Sequence, residues 1–310
     1  MKRTVPYINE AVATRDFKYY IFDWDDNILH MPTKIKMEHL SEEGVWEPVE
    51  VSTSTFAVVR TDTKHYRAPG GNWANAFVNF EDSPERDNFI EDTLDALQRV
   101  ERGERPGPSY NALKKTLREG RIFAIVTARG HSPETIEKAV RLFIRYALSD
   151  EERAEMMSNL RGYRQWLDGV GDDEFGTDQE ELDYYLSMCR YSAVTYSGFK
   201  ERMANDPIYR EKLAVASTAA KPELAKEFAI RDFVEHIFHM LRRSDSLKRS
   251  VSIGFSDDDV GNVKTVSSYI REELSKRFEG IKFVVYDTSD RTLSKGRKVC
   301  VSGQLNLPGF

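Results

Sequence analysis

Four short apolar runs set the rhythm of this chain. They are Tyr19-Tyr20-Ile21-Phe22, Arg121-Ile122-Phe123-Ala124-Ile125-Val126, Val251-Ser252-Ile253-Gly254-Phe255 and Ile281-Lys282-Phe283-Val284-Val285-Tyr286. Each has the length of a strand, and the second is apolar at nearly every position, as in a strand buried on both faces. Between the runs lie stretches with helix signals: Ser83 followed by Pro84 predicts a helix over 83–100, and Pro108 to Glu119 predicts a second, ended by Gly120. Ser132-Pro133-Glu134 opens a third, reaching about Leu148, and Lys221-Pro222-Glu223 opens a long one reaching about Arg243.

Strands that alternate with helices predict an α/β fold, a three-layer Rossmann-like parallel sheet with helices on both faces. Two stretches break the alternation. Residues 33–106 contain Lys34 to Glu38 in alternation and a Val-, Thr- and Phe-rich segment from Val45 to Val59, with Glu43-Gly44 as a turn, which predicts one or two β-hairpins. Residues 149–206 are acidic and helical in pattern, with Tyr163, Trp166, Tyr184, Tyr185 and Tyr191 interleaved; a short strand is expected over 192–197. The expected organisation is therefore a core of 1–32, 107–148 and 207–310, a flap or cap-like insertion over 33–106, and a helical cap-like insertion over 149–206.

Composition narrows the class. Of 310 residues, 40% are hydrophobic and 31% charged, the balance of a globular chain, and the formal net charge of −6 provides no general attraction to nucleic acid or anionic lipid. The two cysteines, Cys189 and Cys300, cannot build a disulfide framework or a four-cysteine zinc site. No apolar run is long enough to span a bilayer and the first residues lack an apolar leader core, so a cytoplasmic protein with no membrane partner is expected. His236 and His239 share a predicted helix, but no third ligand at metal spacing accompanies them, and a structural role is expected.

The candidate chemistry sits where the apolar runs end. Tyr19–Phe22 stops at Asp23-Trp24-Asp25-Asp26-Asn27, the second run stops at Thr127-Ala128-Arg129, and the third at Ser256-Asp257-Asp258-Asp259. Acids after a strand commonly cap the following turn, and an isolated Asp-x-Asp reads most simply that way. In a parallel sheet, however, the strand ends share one edge, where ligands bind. On an extended segment, Asp23 and Asp25 face one side while Trp24 faces the other. Two carboxylates in one small site repel, and a shared proton or a hard divalent cation relieves the repulsion. Either outcome permits one carboxylate to act as nucleophile and the other as proton donor.

These motifs, in this order, resemble those of the haloacid dehalogenase superfamily across most of residues 17–290: an Asp-x-Asp after the first strand, a Ser or Thr after the second, a Lys at a helix start, and an acidic pair after a later strand. The resemblance implies that Asp23 is the nucleophile forming an aspartyl-phosphate and that Asp25 is the general acid/base. It also implies that Thr127 and Lys221 bind the transferring phosphoryl group, and that Mg2+ is held by Asp23, Asp25, Asp257 and Asp258. An acid at position 25 is the mark of the superfamily's phosphatases and phosphomutases. The implied activity is a Mg2+-dependent phosphatase acting on a small phosphorylated substrate, such as a nucleotide or sugar phosphate. A phosphotransferase or phosphomutase and a catalytically inactive binding protein are the alternatives. Arg129 is expected either to bind phosphate or to pair with Glu134 or another acid. Two departures from the family pattern stand out: Asn27 where Thr or Val is usual, and an irregular last motif in which Asp257, Asp258 and Asp259 compete for the metal.

Overall fold

The computed structural model describes residues 16–84, 86–217, 221–243, 250–290 and 292–303. Its strands are β1 (Phe17–Phe22), β2 (Ile35–Leu40), β3 (Trp46–Val51), β4 (Tyr66–Arg67), β5 (Phe123–Thr127), β6 (Arg190–Ala193), β7 (Val251–Asp257), β8 (Ile281–Asp287) and β9 (Arg297–Ser302). Six of them form one sheet in the order β6-β5-β1-β7-β8-β9. Every pairing in it is parallel except β8 with the edge strand β9. The chain is thus α/β with a mostly parallel sheet.

Alternate residues of the central strands feed two apolar layers. On β5, Ala124 and Val126 face one cluster and Phe123 and Ile125 the other. On β1, Phe17, Tyr19 and Ile21 join the first and Phe22 the second. This period of two is what a strand buried on both faces requires, and it accounts for the uninterrupted apolar run at 122–126.

Helices cover both faces. The α-helices of four or more residues among the described residues are α1 (Thr53–Val59), α2 (Trp73–Ala76), α3 (Asn88–Glu101), α4 (Tyr110–Arg118), α5 (Pro133–Ala147), α6 (Asp150–Asp168), α7 (Asp178–Met188), α8 (Ser197–Asn205), α9 (Pro207–Val215), α10 (Lys221–Arg243) and α11 (Val260–Tyr269), of which α1 and α2 accompany the small sheet described below. The first layer holds Phe199 and Met203 of α8, Tyr209 of α9, Phe228, Phe233 and Ile237 of α10, and Val263 and Val266 of α11. The second holds Phe89 of α3, Leu113 of α4, Phe143 of α5, Leu160 of α6 and Tyr185 of α7. Ser132 caps α5 by accepting from the Thr135 amide, with Pro133 at the first helical position.

The two irregular stretches behave differently. Strands β2, β3 and β4 pair in an antiparallel three-stranded sheet with its own small core of Ile35, Met37, Val51, Ala76 and Phe80. The hairpin expectation is met over 35–51, whereas the tract after Val51 turns helical because Ser52 caps α1. Residues 149–206, expected to form a helical cap, instead supply α6 and α7 to the second layer and β6 to the edge of the main sheet. Their buried face (Met156, Met157, Leu160, Tyr185, Leu186) is core, and their acids face outward, apart from the buried Glu181. The helix expected from Ser83 begins at Asn88, and β9 lies in a tail whose polar residues concealed a strand.

Candidate functional site

Strand β1 pairs in parallel with β5 on one side and β7 on the other, so the carboxyl ends of all three meet at one edge. The connections after β1 run first toward β5 and β6 and later toward β7, so β1 stands where the strand order reverses, the usual ligand crevice of such sheets. Asp23, Thr127 and Asp257 are brought together there, and all three are buried.

The segment after β1 is a tight turn closed by backbone hydrogen bonds, among them Asp26 N–H to the Leu29 carbonyl and Ile28 N–H to the Trp24 carbonyl. Trp24 points away from the acids into the second layer, fully buried against Phe89 and Phe143. Asp26 has a φ of 56°, the left-handed region that Asp tolerates better than most residues. Its carboxylate accepts from Thr53 Oγ1 at 2.7 Å and contacts His30 Nδ1 at 2.8 Å, which ties the flap helix α1 to the turn. Asn27 is fully buried, and its amide nitrogen donates to the Asp23 carbonyl (2.8 Å) and to the Ser256 carbonyl and hydroxyl (3.2 and 3.1 Å). Its side-chain oxygen accepts from Thr288 Oγ1 at 2.8 Å. One side chain thereby joins the ends of β1, β7 and β8. Gly107 must be glycine here, because a Cβ would lie 2.5 Å from the Asn27 carbonyl oxygen.

The cation beside Asp23 is Lys226, not Lys221. Lys221 is exposed at the start of α10, whereas Lys226, five residues on, is buried, with Nζ 3.6 Å from Asp23 Oδ1 and 2.6 Å from Asp257 Oδ2. Helical spacing explains the correction: five residues advance α10 by about 7.5 Å and carry the lysine from its solvated end onto the face that packs on the sheet. The Leu224-Ala225-Lys226-Glu227-Phe228 context contained the signal, since Ala225 and Phe228 are core positions flanking a lysine.

Electrostatics follow from burial. Burial pushes the Asp23 carboxyl well above the usual carboxylate range; Lys226 opposes this, and Asp257, Asp258 and Asp25 add to it. Burial works against the charge on Lys226, but Asp257 and Asp23 outweigh it and hold the ammonium above its ordinary range. Asp258 is raised to about 8 by burial and by the adjacent Asp257 and Asp26. Of the three acids after β7, Asp259 caps α11, accepting from the Gly261 and Asn262 amides, while Asp257 and Asp258 lie near Asp23. Asp257 Oδ1 also accepts from the Asp259 amide and Asn262 Nδ2.

Arg129 pairs with Asp25, not with Glu134. Its Nε and Nη2 donate to the two carboxylate oxygens at 2.9 and 2.6 Å, and Nη2 also reaches Thr33 Oγ1 at 2.8 Å. The guanidinium lies between the rings of Phe80 and Phe89, 4.6 and 4.7 Å from their centroids, and is 1% exposed. Its Nη1 has no hydrogen-bond partner among the described residues. Thr127 Oγ1 stands 3.4 Å from Asp25 Oδ2. His131, which the sequence reading passed over, stacks on Phe89 at 4.9 Å and is likewise buried, with neither ring nitrogen bonded among the described residues.

His236 Nδ1 accepts from Arg190 Nη2 at 2.6 Å, and its Nε2 donates to the Met188 carbonyl at 2.8 Å. Among the described residues, no three histidine, cysteine or carboxylate side chains are gathered closely enough to hold a metal as they stand, and no helix is long and apolar enough to cross a membrane. Comparison with family models, with curated proteins and with solved structures yields no match.

Proposed function

We propose that this chain is a Mg2+-dependent phosphatase of haloacid dehalogenase type, hydrolysing a small phosphate monoester through an aspartyl-phosphate on Asp23. The observation that carries the reading is the placement of a buried lysine, Lys226, 3.6 Å from Asp23 and 2.6 Å from Asp257 at the strand edge that also presents Asp25 and Thr127. A nucleophilic carboxylate, a second carboxylate two residues on, a hydroxyl and an ammonium, drawn from the end of β1, from β5 and from α10, supply the positioning and charge that phosphoryl transfer requires.

The donor set fits a hard divalent cation in type and charge. Lys226 pairs with Asp23 and Asp257 and Arg129 with Asp25, so with all groups ionised Asp23, Asp25, Asp257 and Asp258 set four negative charges against two positive ones. The carboxylate donors are all oxygen, and burial, with the neighbouring carboxylates adding to it, raises the Asp23 and Asp258 carboxyls, a cost that a hard cation would relieve. Asp23, the Asp25 main-chain carbonyl, Asp257 and Asp258 would hold Mg2+. When bound, it supplies charge neutralisation for the incoming phosphate.

In this reading, an Asp23 oxygen attacks phosphorus, the P–O bond to the leaving group breaks, and Asp25 gives that oxygen its proton. Asp25 then takes a proton from water as the water oxygen attacks phosphorus, and inorganic phosphate leaves with Asp23 restored. Lys226 and Thr127 hold the phosphoryl oxygens. Arg129 orients Asp25 through its Nε and Nη2 contacts. The flap sheet, tied in through Thr33 and Thr53, borders the entry and shields the site. A panel of phosphate monoesters assayed with Mg2+ tests the reading: release of phosphate that Asp23→Asn abolishes supports it, and transfer to an acceptor instead of water would redirect it to a phosphotransferase.

A further inference from the structure

The other edge of the sheet contains a cavity of about 370 Å3, at the amino-terminal ends of β1 and β5 and walled by α6, α7 and α10. Its lining is mostly apolar, with the rings of Phe17, Tyr19, Tyr163, Tyr184 and Tyr185 as flat walls, and its size is that of a small-molecule pocket. Asp23 lies four residues beyond Tyr19, roughly 13 Å away at strand rise, so the cavity is separate from the candidate catalytic edge.

Two phenol hydroxyls stand unused in this wall. Tyr19 is 8% exposed, and Tyr163 of α6 is half-buried with its ring edge against Gly120, where an added Cβ would meet Tyr163 Cδ2 and Cε2 at 3.4 Å. Neither hydroxyl makes a hydrogen bond among the described residues, and neither oxygen is sealed from solvent. Because Tyr19 is otherwise enclosed, the surface its hydroxyl keeps is cavity surface. The two phenols are neighbours: burial first, and Tyr163 next, push the Tyr19 hydroxyl above the ordinary tyrosine range, so it stays protonated and able to donate.

The acceptors around them are already engaged. Glu181 Oε1 accepts from Arg164 Nη1 at 2.8 Å and from the Gly176 amide at 3.0 Å, and its Oε2 is sealed from solvent. Asp168 accepts from the Tyr184 hydroxyl at 2.9 Å, and the Arg121 carbonyl from the Tyr185 hydroxyl at 2.6 Å. Of the charged lining residues, Lys18, Arg121 and Arg164 are cations and Asp168 and Glu181 are acids, three positive charges against two negative. An apolar chamber with two spare donors and a surplus of positive charge suits a negatively charged acceptor carried on a flat apolar body.

We propose that this cavity binds a small aromatic carboxylate, its ring lying against the tyrosine walls and its carboxylate accepting hydrogen bonds from the Tyr19 and Tyr163 hydroxyls. An ammonium in the carboxylate's place would add positive charge to a lining that already has a surplus. A neutral alcohol would lack the charge that strengthens both bonds.

The test is calorimetric titration of the full chain, without Mg2+, with three naphthalenes of one size: 2-naphthoate, 2-naphthylmethanol and 2-naphthylmethylammonium. The expected result is saturable binding of 2-naphthoate at least about tenfold tighter than either of the others, the scale of one hydrogen bond to a charged acceptor. Because neither hydroxyl bonds within the protein, the double variant Tyr19→Phe/Tyr163→Phe should keep the parent's urea-unfolding midpoint. It should bind 2-naphthoate at least about tenfold more weakly while its affinity for 2-naphthylmethanol changes by less than about threefold. Tyr163→Phe alone, at a half-buried position, should weaken 2-naphthoate binding by about threefold or more and supplies the same reading should the double variant not fold. Absence of 2-naphthoate binding, equal affinity for the three compounds, or 2-naphthoate affinity unchanged in the folded variants would overturn the proposal. None of these readouts depends on phosphatase activity.

Discussion

Arg129 holds both carboxylate oxygens of Asp25, at 2.9 and 2.6 Å, from a position fully enclosed between Phe80 and Phe89. The residue two positions after Thr127 is therefore bound to the residue two positions after Asp23, and the ends of β5 and β1 are locked together. A guanidinium can make this planar two-point contact and an ammonium cannot. Arg129→Lys should lower kcat for phosphate release by about 10- to 100-fold while the fold is retained, as measured by circular dichroism alongside turnover. Full activity in that variant would show that the fork does not orient Asp25.

Lys226 and Lys221 make a second contrast. Lys226→Ala removes the cation between Asp23 and Asp257, and kcat should fall by about 10²- to 10³-fold. Lys221→Ala, at an exposed helix start, should leave both kcat and stability within about twofold of the parent. The reverse ranking would return the phosphate-binding role to Lys221.

Asn27 stitches three strand ends through one amide. Asn27→Ala leaves the Ser256 and Thr288 groups without that partner and should cost about 3 kcal/mol in urea unfolding. Asn27→Asp should cost at least as much, because it adds a buried charge beside Asp23 and loses the amide donor. A loss under about 1 kcal/mol in either variant would mean that the turn is held by its backbone bonds alone.

His131 should give the protein an acid limb. Burial and the neighbouring Arg129 push its imidazole from 6.5 down to about 4. Above pH 6.5 the folded and unfolded chains are both neutral at this residue and it contributes no pH dependence. As pH falls from 6.5 to 4, the unfolded chain takes up a proton that the folded chain refuses, so stability declines, by up to about 3 kcal/mol, and below pH 4 this contribution levels off. His131→Phe should flatten that part of the stability–pH curve, measured by urea unfolding at half-unit steps.

Much of this was legible in the chain itself. The buried strands β1, β5, β7 and β8 announce themselves because apolar residues on both faces leave continuous runs, and the acids and Thr127 stand at their ends whatever the loops do. Lys226 was hidden because helix-start signals point to Lys221-Pro222, while the face a residue occupies depends on how α10 docks. The partner of Arg129 was also hidden, since Asp25 is 104 positions away and only the parallel pairing of β1 with β5 joins them. Residues 149–206 carry acids outward and core residues inward, so composition alone suggested a cap where packing makes a layer. Strand β9 is an exposed edge with one buried residue, Cys300, and leaves almost no apolar pattern.

The central claim is that Asp23 takes the phosphoryl group. It is tested most directly by mass spectrometry of the acid-quenched protein after brief exposure to a phosphate monoester and Mg2+. The account predicts a phosphoryl adduct on the Asp23 peptide that is labile to hydroxylamine and absent in Asp23→Asn. Turnover without an adduct, or with an adduct on another residue, would contradict it.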